Sequence, residues 1–384
     1  MEKTGTSNAF SAAFENLQNS RLMKYLEKKN WLKGPANLNW KKLLELEKTQ
    51  VVGLDIGSSA VRIVQLRKDN TGYVVTAAGI VDIANKPETN QKHKEINTVK
   101  AISECLQSSG IQTQLAVCGV CGPEVAVRYF KFPSLPPEEV QGAVLLEAAQ
   151  VCPFFNVDDI AVDYQLMPDG ENNVCGVLVA ATNKLIERKS KLAKEASFDC
   201  VLMDVDGLAL LNCLSEYEKT EAGRTTAILN IGSSYTTLAI MGANALPFIR
   251  DIAYAGGTIV KEIADEKGVS MEAVRETLLG SAGHETGLGD SLEKACQKLI
   301  TDVTDTLRYY TAQEKSIIVE KIFVCGFALA KGLVELLDSR LPAKTMLWNP
   351  FDKIRCDGDQ NCRDILQKNG PAMAVAAGLA MRSI

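Results

Sequence analysis

One six-residue pattern with the means to do chemistry occurs twice. Leu54-Asp55-Ile56-Gly57-Ser58-Ser59 returns 175 positions later as Leu229-Asn230-Ile231-Gly232-Ser233-Ser234. In each copy an apolar strand ends in a carboxylate or an amide. Gly-Ser-Ser then turns the chain into a second strand, at 60–66 and 235–241. The glycine lets the backbone come close to a ligand, and successive amides and hydroxyls make an anion nest. A single such turn is common in hairpins. Two at domain-sized separation suggest related halves that grip a polyphosphate from both sides, with Asp55 holding hydrated Mg2+.

Other reactive side chains fit no such pattern. Cys118-Gly-Val-Cys121 is a C-x-x-C, but it lies at the end of an expected strand, and redox use needs a helix N-terminus to acidify a thiol. His93 and His284 are the two histidines, so a zinc site lacks ligands. No G-x-S-x-G is present, and Ser-His-Asp catalysis has no support. These cysteines, and the pair Cys356 and Cys362, read as structural thiols.

The elements that must position the two turns follow from periodicity. Strands are expected at 51–56, 60–66, near 73–80 and at 115–120, with a helix over 94–109. A half-buried strand at 124–132 leads through Pro133, Pro136 and Pro137 into a helix ending near Gln150. Strands at 160–167 and 174–182, a helix over 183–197 and a helix over 207–215 come next. The longest charge-free run, 225–249, contains Asn230, Ser233, Ser234, Thr236 and Thr237, so it reads as a strand hairpin rather than a membrane span. The 285–315 stretch is a long amphipathic helix explained by core packing. In the helix from Pro137, Val140, Val144, Leu145 and Ala148 recur at helical spacing, which suits a core face, a groove edge or both.

At ~150 residues per domain, 384 residues imply two to three domains and a core that needs no disulfide or metal. The net charge of -5 argues against a nucleic-acid binder working through its whole surface. The first fifty residues hold nine basic and five acidic side chains, net +4, and the remainder carries -9. Residues 1–49 are therefore a separate basic extension. They are either a flexible docking segment or a helix for a membrane surface or partner. Eleven cysteines, an odd number, and the lack of a secretory leader favour a reducing cytoplasm.

The two turns, together with Val205-Asp206-Gly207-Leu208-Ala209, Val324-Cys325-Gly326-Phe327-Ala328 and the 370–381 segment, resemble the actin/Hsp70/sugar-kinase ATPase superfamily. The resemblance implies an α/β fold of two related halves around a nucleotide cleft. Within it, Arg128–Pro136, Glu147-Ala148-Ala149-Gln150, Pro153-Phe154 and Asp163-Tyr164-Gln165 resemble the FtsA-like PilM family of type IV pilus assembly proteins, over roughly 50–384. That family carries a small α+β subdomain inserted after the first phosphate turn. The implied division is an extension at 1–49, a first half at 50–123 with returning segments at about 199–224 and 345–384, an insert at 124–198, and a second half at 225–344.

The family's ligands would be ATP and Mg2+. The matching positions are Asp55 (Mg2+, through water), Gly57, Ser58, Ser59 and Arg62 on one side. On the other they are Asn230, Gly232, Ser233, Ser234, Gly256, Gly257 and Gly326. The sequence departs from the family on that second side. Asn230 stands for the usual Asp and brings no charge to a metal or a water. Cys325 stands for the first glycine of the purine motif and is expected to crowd it. Val274 and Thr277 stand where a Glu and a Lys approach the ribose. Weak nucleotide affinity and poor hydrolysis are expected. Asp206, then Asp204, is the best candidate to orient a water, each being equally suited to a helix N-terminal carboxylate.

The resemblance implies a cytoplasmic scaffold, peripheral to the inner membrane through its partners. Those partners would be the tail of a PilN-like membrane protein and other pilus inner-membrane components, with homo-oligomer formation left open. Nucleic acid is not an expected partner. An active sugar-type kinase would need a catalytic Asp in a sugar-facing loop. An FtsA-like division filament would need a C-terminal amphipathic anchor, and the chain is expected to stop just after its closing helix.

Overall fold

The computed structural model describes residues 51–84, 89–151, 159–168, 172–218, 224–242, 246–280, 287–313 and 318–382. The basic extension and the Pro153-Phe154 motif lie outside the described residues. Strands β1 (Val52–Ile56), β2 (Ala60–Asp69) and β3 (Gly72–Asp82) form an antiparallel meander. A helix, Gln91–Ser109, then crosses over to β4 (Leu115–Val120), which runs parallel to β1. Asn90 caps that helix by accepting the His93 amide, and Gly110 ends it at φ 69°.

The chain next leaves to build a separate three-stranded sheet from β5 (Val125–Pro133), β6 (Ile160–Pro168) and β7 (Asn173–Thr182), in the order β5-β7-β6. Helix Pro137–Val151 covers one face of it, burying Val144 and Ala148 against Phe130, Leu178 and Ala180. Helix Asn183–Glu195 falls within the insert at 124–198 expected from the sequence. It buries Leu192 and Ala193 with Val52, Leu54 and Phe198, so it packs on the first half's sheet. From there β8 (Asp199–Val205) returns parallel to β4.

The second half repeats the plan. It comprises β9 (Arg224–Ile231), β10 (Thr236–Met241), β11 (Pro247–Ile252), β12 (Ile318–Gly326) and β13 (Lys344–Leu347). A short β14 (Arg355–Cys356) returns to the free edge of β3. Apart from β14 the sheets read β3-β2-β1-β4-β8 and β11-β10-β9-β12-β13. The repeated turns sit at the same place in both, between the first and second strands of each meander. Asp55 pairs with Arg62 across β1 and β2, and Asn230 with Thr237 across β9 and β10.

Apolar helices Asp206–Tyr217 and Ala374–Ala380 lie in one continuous core that also takes in Val64, Val117, Ile228 and Ala239 from the two sheets. Their backbones approach so closely that a Cβ on Gly378 would collide with the Ala209 carbonyl. Just beyond the second helix, Arg382 forms a buried two-pronged ion pair with Asp204 at 2.6 and 3.0 Å. Helix Gly256–Lys267 and the amphipathic helix Gly289–Gln313 cover the outer face of the second sheet. We expect Gly378→Ala to fold with stability lower by about 1–3 kcal/mol, because the added methyl must push two packed backbones apart. Denaturant unfolding monitored by circular dichroism measures it.

Candidate functional site

Both turns close in the same way. The Gly57 amide donates to the Ala60 carbonyl at 3.1 Å, and the Gly232 amide to the Tyr235 carbonyl at 3.0 Å. The Ser58 and Ser234 hydroxyls meet across the cleft at 2.8 Å, so the two turns face each other directly. Ser59 anchors the first turn from behind, its carbonyl accepting the Ile83 amide at 2.8 Å. Asp55 stands just before that turn, 13% exposed, and pairs with Arg62 at 3.2 Å. Arg62 thus neutralises the carboxylate nearest the cleft and leaves a guanidinium beside Gly57.

The second turn is braced by its neighbours. The Gly256 and Gly257 amides, the first of their helix, donate to the Gly232 and Ser233 carbonyls at 2.9 and 3.0 Å. The Ser233 carbonyl oxygen would lie 2.6 Å from a Cβ on Gly257, so this packing requires glycine. Gly326 has φ +73°, and a Cβ there would stand 2.6 Å from Asn230 Oδ1. Asn230 also accepts the Cys325 thiol at 3.6 Å. Cys325 is fully buried in β12, and burial drives its thiol pKa up. Its side chain therefore belongs to the interior between the sheets. The Phe327 ring rests on Gly256, a contact sequence reasoning missed. Val274 is a core residue of the second half, and the Thr277 hydroxyl turns back to the Ala273 carbonyl at 2.8 Å.

Behind the turns lies a cluster of ionisable groups. Asp206 opens its helix, is 7% exposed, and its Oδ1 has no hydrogen-bond partner among the described residues. That oxygen sits against Gly119, where no Cβ would fit. Burial raises the Asp206 pKa to about 7, with the negative charge of Asp55 adding and the ammonium of Lys189 opposing. Lys189 reaches in from helix Asn183–Glu195 and donates to the Ile56 carbonyl at the end of β1. Asp251, on β11, accepts the Gly122 amide and the Thr237 hydroxyl, and burial raises its pKa. Asp204 is held by Arg382, so it is not free to orient a water.

Lys189 and Asp251 escaped the sequence reading. Lys189 is one of four lysines in the polar helix segment NKLIERKSKLAKE, which looks like an ordinary solvated face. Asp251 carries a weak signal, a carboxylate within the short strand PFIRDI. Cys118 and Cys121 are not a working pair. Cys118 is buried in the outer core, whereas Cys121 lies beyond the strand end near Asp206. Among the described residues no three His, Cys, Asp or Glu side chains form a group fit to hold a metal, and no helix is long and apolar enough to cross a membrane.

Two halves of matching topology, with paired Gly-Ser-Ser turns opposed across a cleft, define a protein of the actin-like ATPase fold. A family model described as type IV pilus assembly protein PilM matches residues 53–384, and the chain belongs to that family. The solved PilM-PilN type IV pilus biogenesis complex is similar in fold, with TM-score 0.74 and 22% identity, over 88% of this chain and 99% of that one. The ethanolamine utilization protein EutJ from Carboxydothermus hydrogenoformans shares the fold with TM-score 0.52 and 11% identity, over 94% of this chain and 100% of that one.

The raised Asp206 pKa has a consequence for stability. The folded state binds this proton more tightly than the unfolded chain, whose value is near 3.8. The stabilisation is therefore complete below about pH 4 and is lost as pH rises towards about 7. Asp206→Asn should remove that slope, of up to about 1.4 kcal/mol per pH unit. Urea unfolding of both proteins between pH 5 and 8 measures it, and parallel curves would place the titration elsewhere.

Proposed function

We propose that the chain is a cytoplasmic scaffold of type IV pilus assembly or a related secretion machine, peripheral to the inner membrane. In this reading it docks the cytoplasmic tail of a PilN-like membrane protein and uses a nucleotide as a clamp between its halves. The observation that carries the reading is family membership across nearly the whole folded chain, joined to a fold shared with a solved PilM-PilN complex.

The cleft residues fit Mg-ATP. Gly57 and Gly232 let two backbones approach one point, and the hydroxyls of Ser58 and Ser234 already meet there. Ser59, Arg62 and Ser233 would add donors for phosphate oxygens, and Gly326 leaves the purine side without a side chain. Asp55 would hold Mg2+ through water, and bound Mg2+ supplies neutralisation of phosphate charge. Gly256 and Gly257 act by shaping the second turn, since their amides are already donated. Asp206 is the residue able to take a proton from a water. Asn230 offers no second charge, so turnover should fall well below the ordinary range of ~1–10³ per second.

The insert supplies a docking edge. Leu145 and Leu146 face outward on helix Pro137–Val151, Leu146 being 64% exposed, and Gln141 lies outside the core as well. Val140 packs against the insert core, so a charge there would disturb folding rather than docking.

Calorimetry separates the two functions. Asp55→Ala should abolish Mg-dependent ATP binding and leave capture of a PilN-like tail peptide intact. Gln141→Trp and Leu146→Glu should weaken tail capture about tenfold or more and leave ATP binding unchanged. Normal tail capture by both variants would move the partner site off this edge. ATP binding by Asp55→Ala at wild-type affinity would overturn the clamp. Phosphate release should stay near background and rise in Asn230→Asp.

A further inference from the structure

The second turn and the root of the insert share one hydrogen-bonding side chain. Asp251 lies opposite Thr237 across β10 and β11, and Thr237 lies opposite Asn230 across β9 and β10. One carboxylate oxygen of Asp251 accepts the Thr237 hydroxyl at 2.6 Å. The other crosses to the first half and accepts the Gly122 amide, also at 2.6 Å. Gly122 has φ +99°, and a Cβ on it would stand 3.0 Å from the Tyr235 ring. Tyr235 is the residue whose carbonyl closes the second turn. Tyr235 and Asp251 therefore both bear on Gly122, one through an aromatic ring and one through a carboxylate.

Gly122 is also where the chain enters the insert. Its carbonyl accepts the Val125 amide at 3.0 Å as β5 begins. Two residues on, the Glu124 carbonyl accepts the Thr182 amide at 3.0 Å, and its carboxylate accepts the Thr182 hydroxyl at 2.8 Å. Entry and exit of the insert are stapled together, and the staple hangs beside Gly122. A half-buried carboxylate loses part of its stabilisation when deprived of donors, so Asp251 resists moving away from either one.

We infer that Asp251 is a latch that carries the state of the second turn to the root of the insert. A change at 232–235 displaces Tyr235 and Thr237, and the insert responds through Gly122. The inference rests on the reading of 230–234 as a ligand loop, but its test uses no ligand, so the two can fail separately.

Backbone amide hydrogen exchange of the full-length chain reads the link. Gly232→Ala strains the second turn, because its Cβ would meet the Tyr235 carbonyl at 2.6 Å. Exchange in β5 and β7 should quicken about tenfold or more, while helix Gly289–Gln313 keeps its protection. Asp251→Ala should quicken the same strands, and adding Gly232→Ala to it should produce no further change there. Should Gly232→Ala not fold, Thr237→Val takes its place, since it removes one arm of the latch at nearly constant shape. Unchanged exchange in β5 and β7 on straining the turn, or additive effects in the double variant, would overturn the latch.

Discussion

The close approach of two apolar helices between the sheets is the constraint on which the rest depends. Helices Asp206–Tyr217 and Ala374–Ala380 touch backbone to backbone at Gly378 and Ala209. Gly207 lets the first of them rest against the Ile249 side chain of β11. Small residues at these points set the separation of the halves. With a larger spacing, Ser58 and Ser234 would not reach each other. Packing of this kind tolerates little volume change, and so a surface cleft inherits its geometry from a dry interior.

Electrostatics in the cleft are arranged so that few bare charges remain. Arg62 answers Asp55, and Lys189 stands near Asp206 and offsets part of its burial. Asp251 is satisfied by an amide and a hydroxyl rather than by a cation. Replacing the usual second carboxylate with Asn230 fits this economy of charge. Its side-chain oxygen receives a thiol from the neighbouring strand and faces a glycine that leaves it room.

Among the described residues the insert meets the body at its root, where Glu124 pairs with Thr182, and through one face of its sheet. Its sheet has its own small core around Phe130, Leu178 and Ala148, while its other face lends Val127 and Val177 to the core between the halves. The insert therefore has a small core of its own and takes its orientation from the body.

The sequence by itself determined the repeated halves, and it did so through local chemistry. Gly-Ser-Ser after an apolar strand is a local turn signal, and the alternation around it specifies strand pairs such as Asp55 with Arg62. The insert's strands and its Pro-initiated helix were legible for the same reason, since period and turn residues act over short spans. Only the tertiary structure decided which polar residues meet. Lys189 lies in a helix that reads as solvated surface and becomes a cleft residue because Leu192 and Ala193 press that helix onto the first sheet. Asp204 and Asp206 look alike in sequence. One is spent on Arg382, 178 positions away, and the other is left with an unpartnered oxygen. Asp251 acquires its role from an amide 129 positions earlier. Such pairings join residues far apart in the chain, and no local propensity or spacing carries information about them.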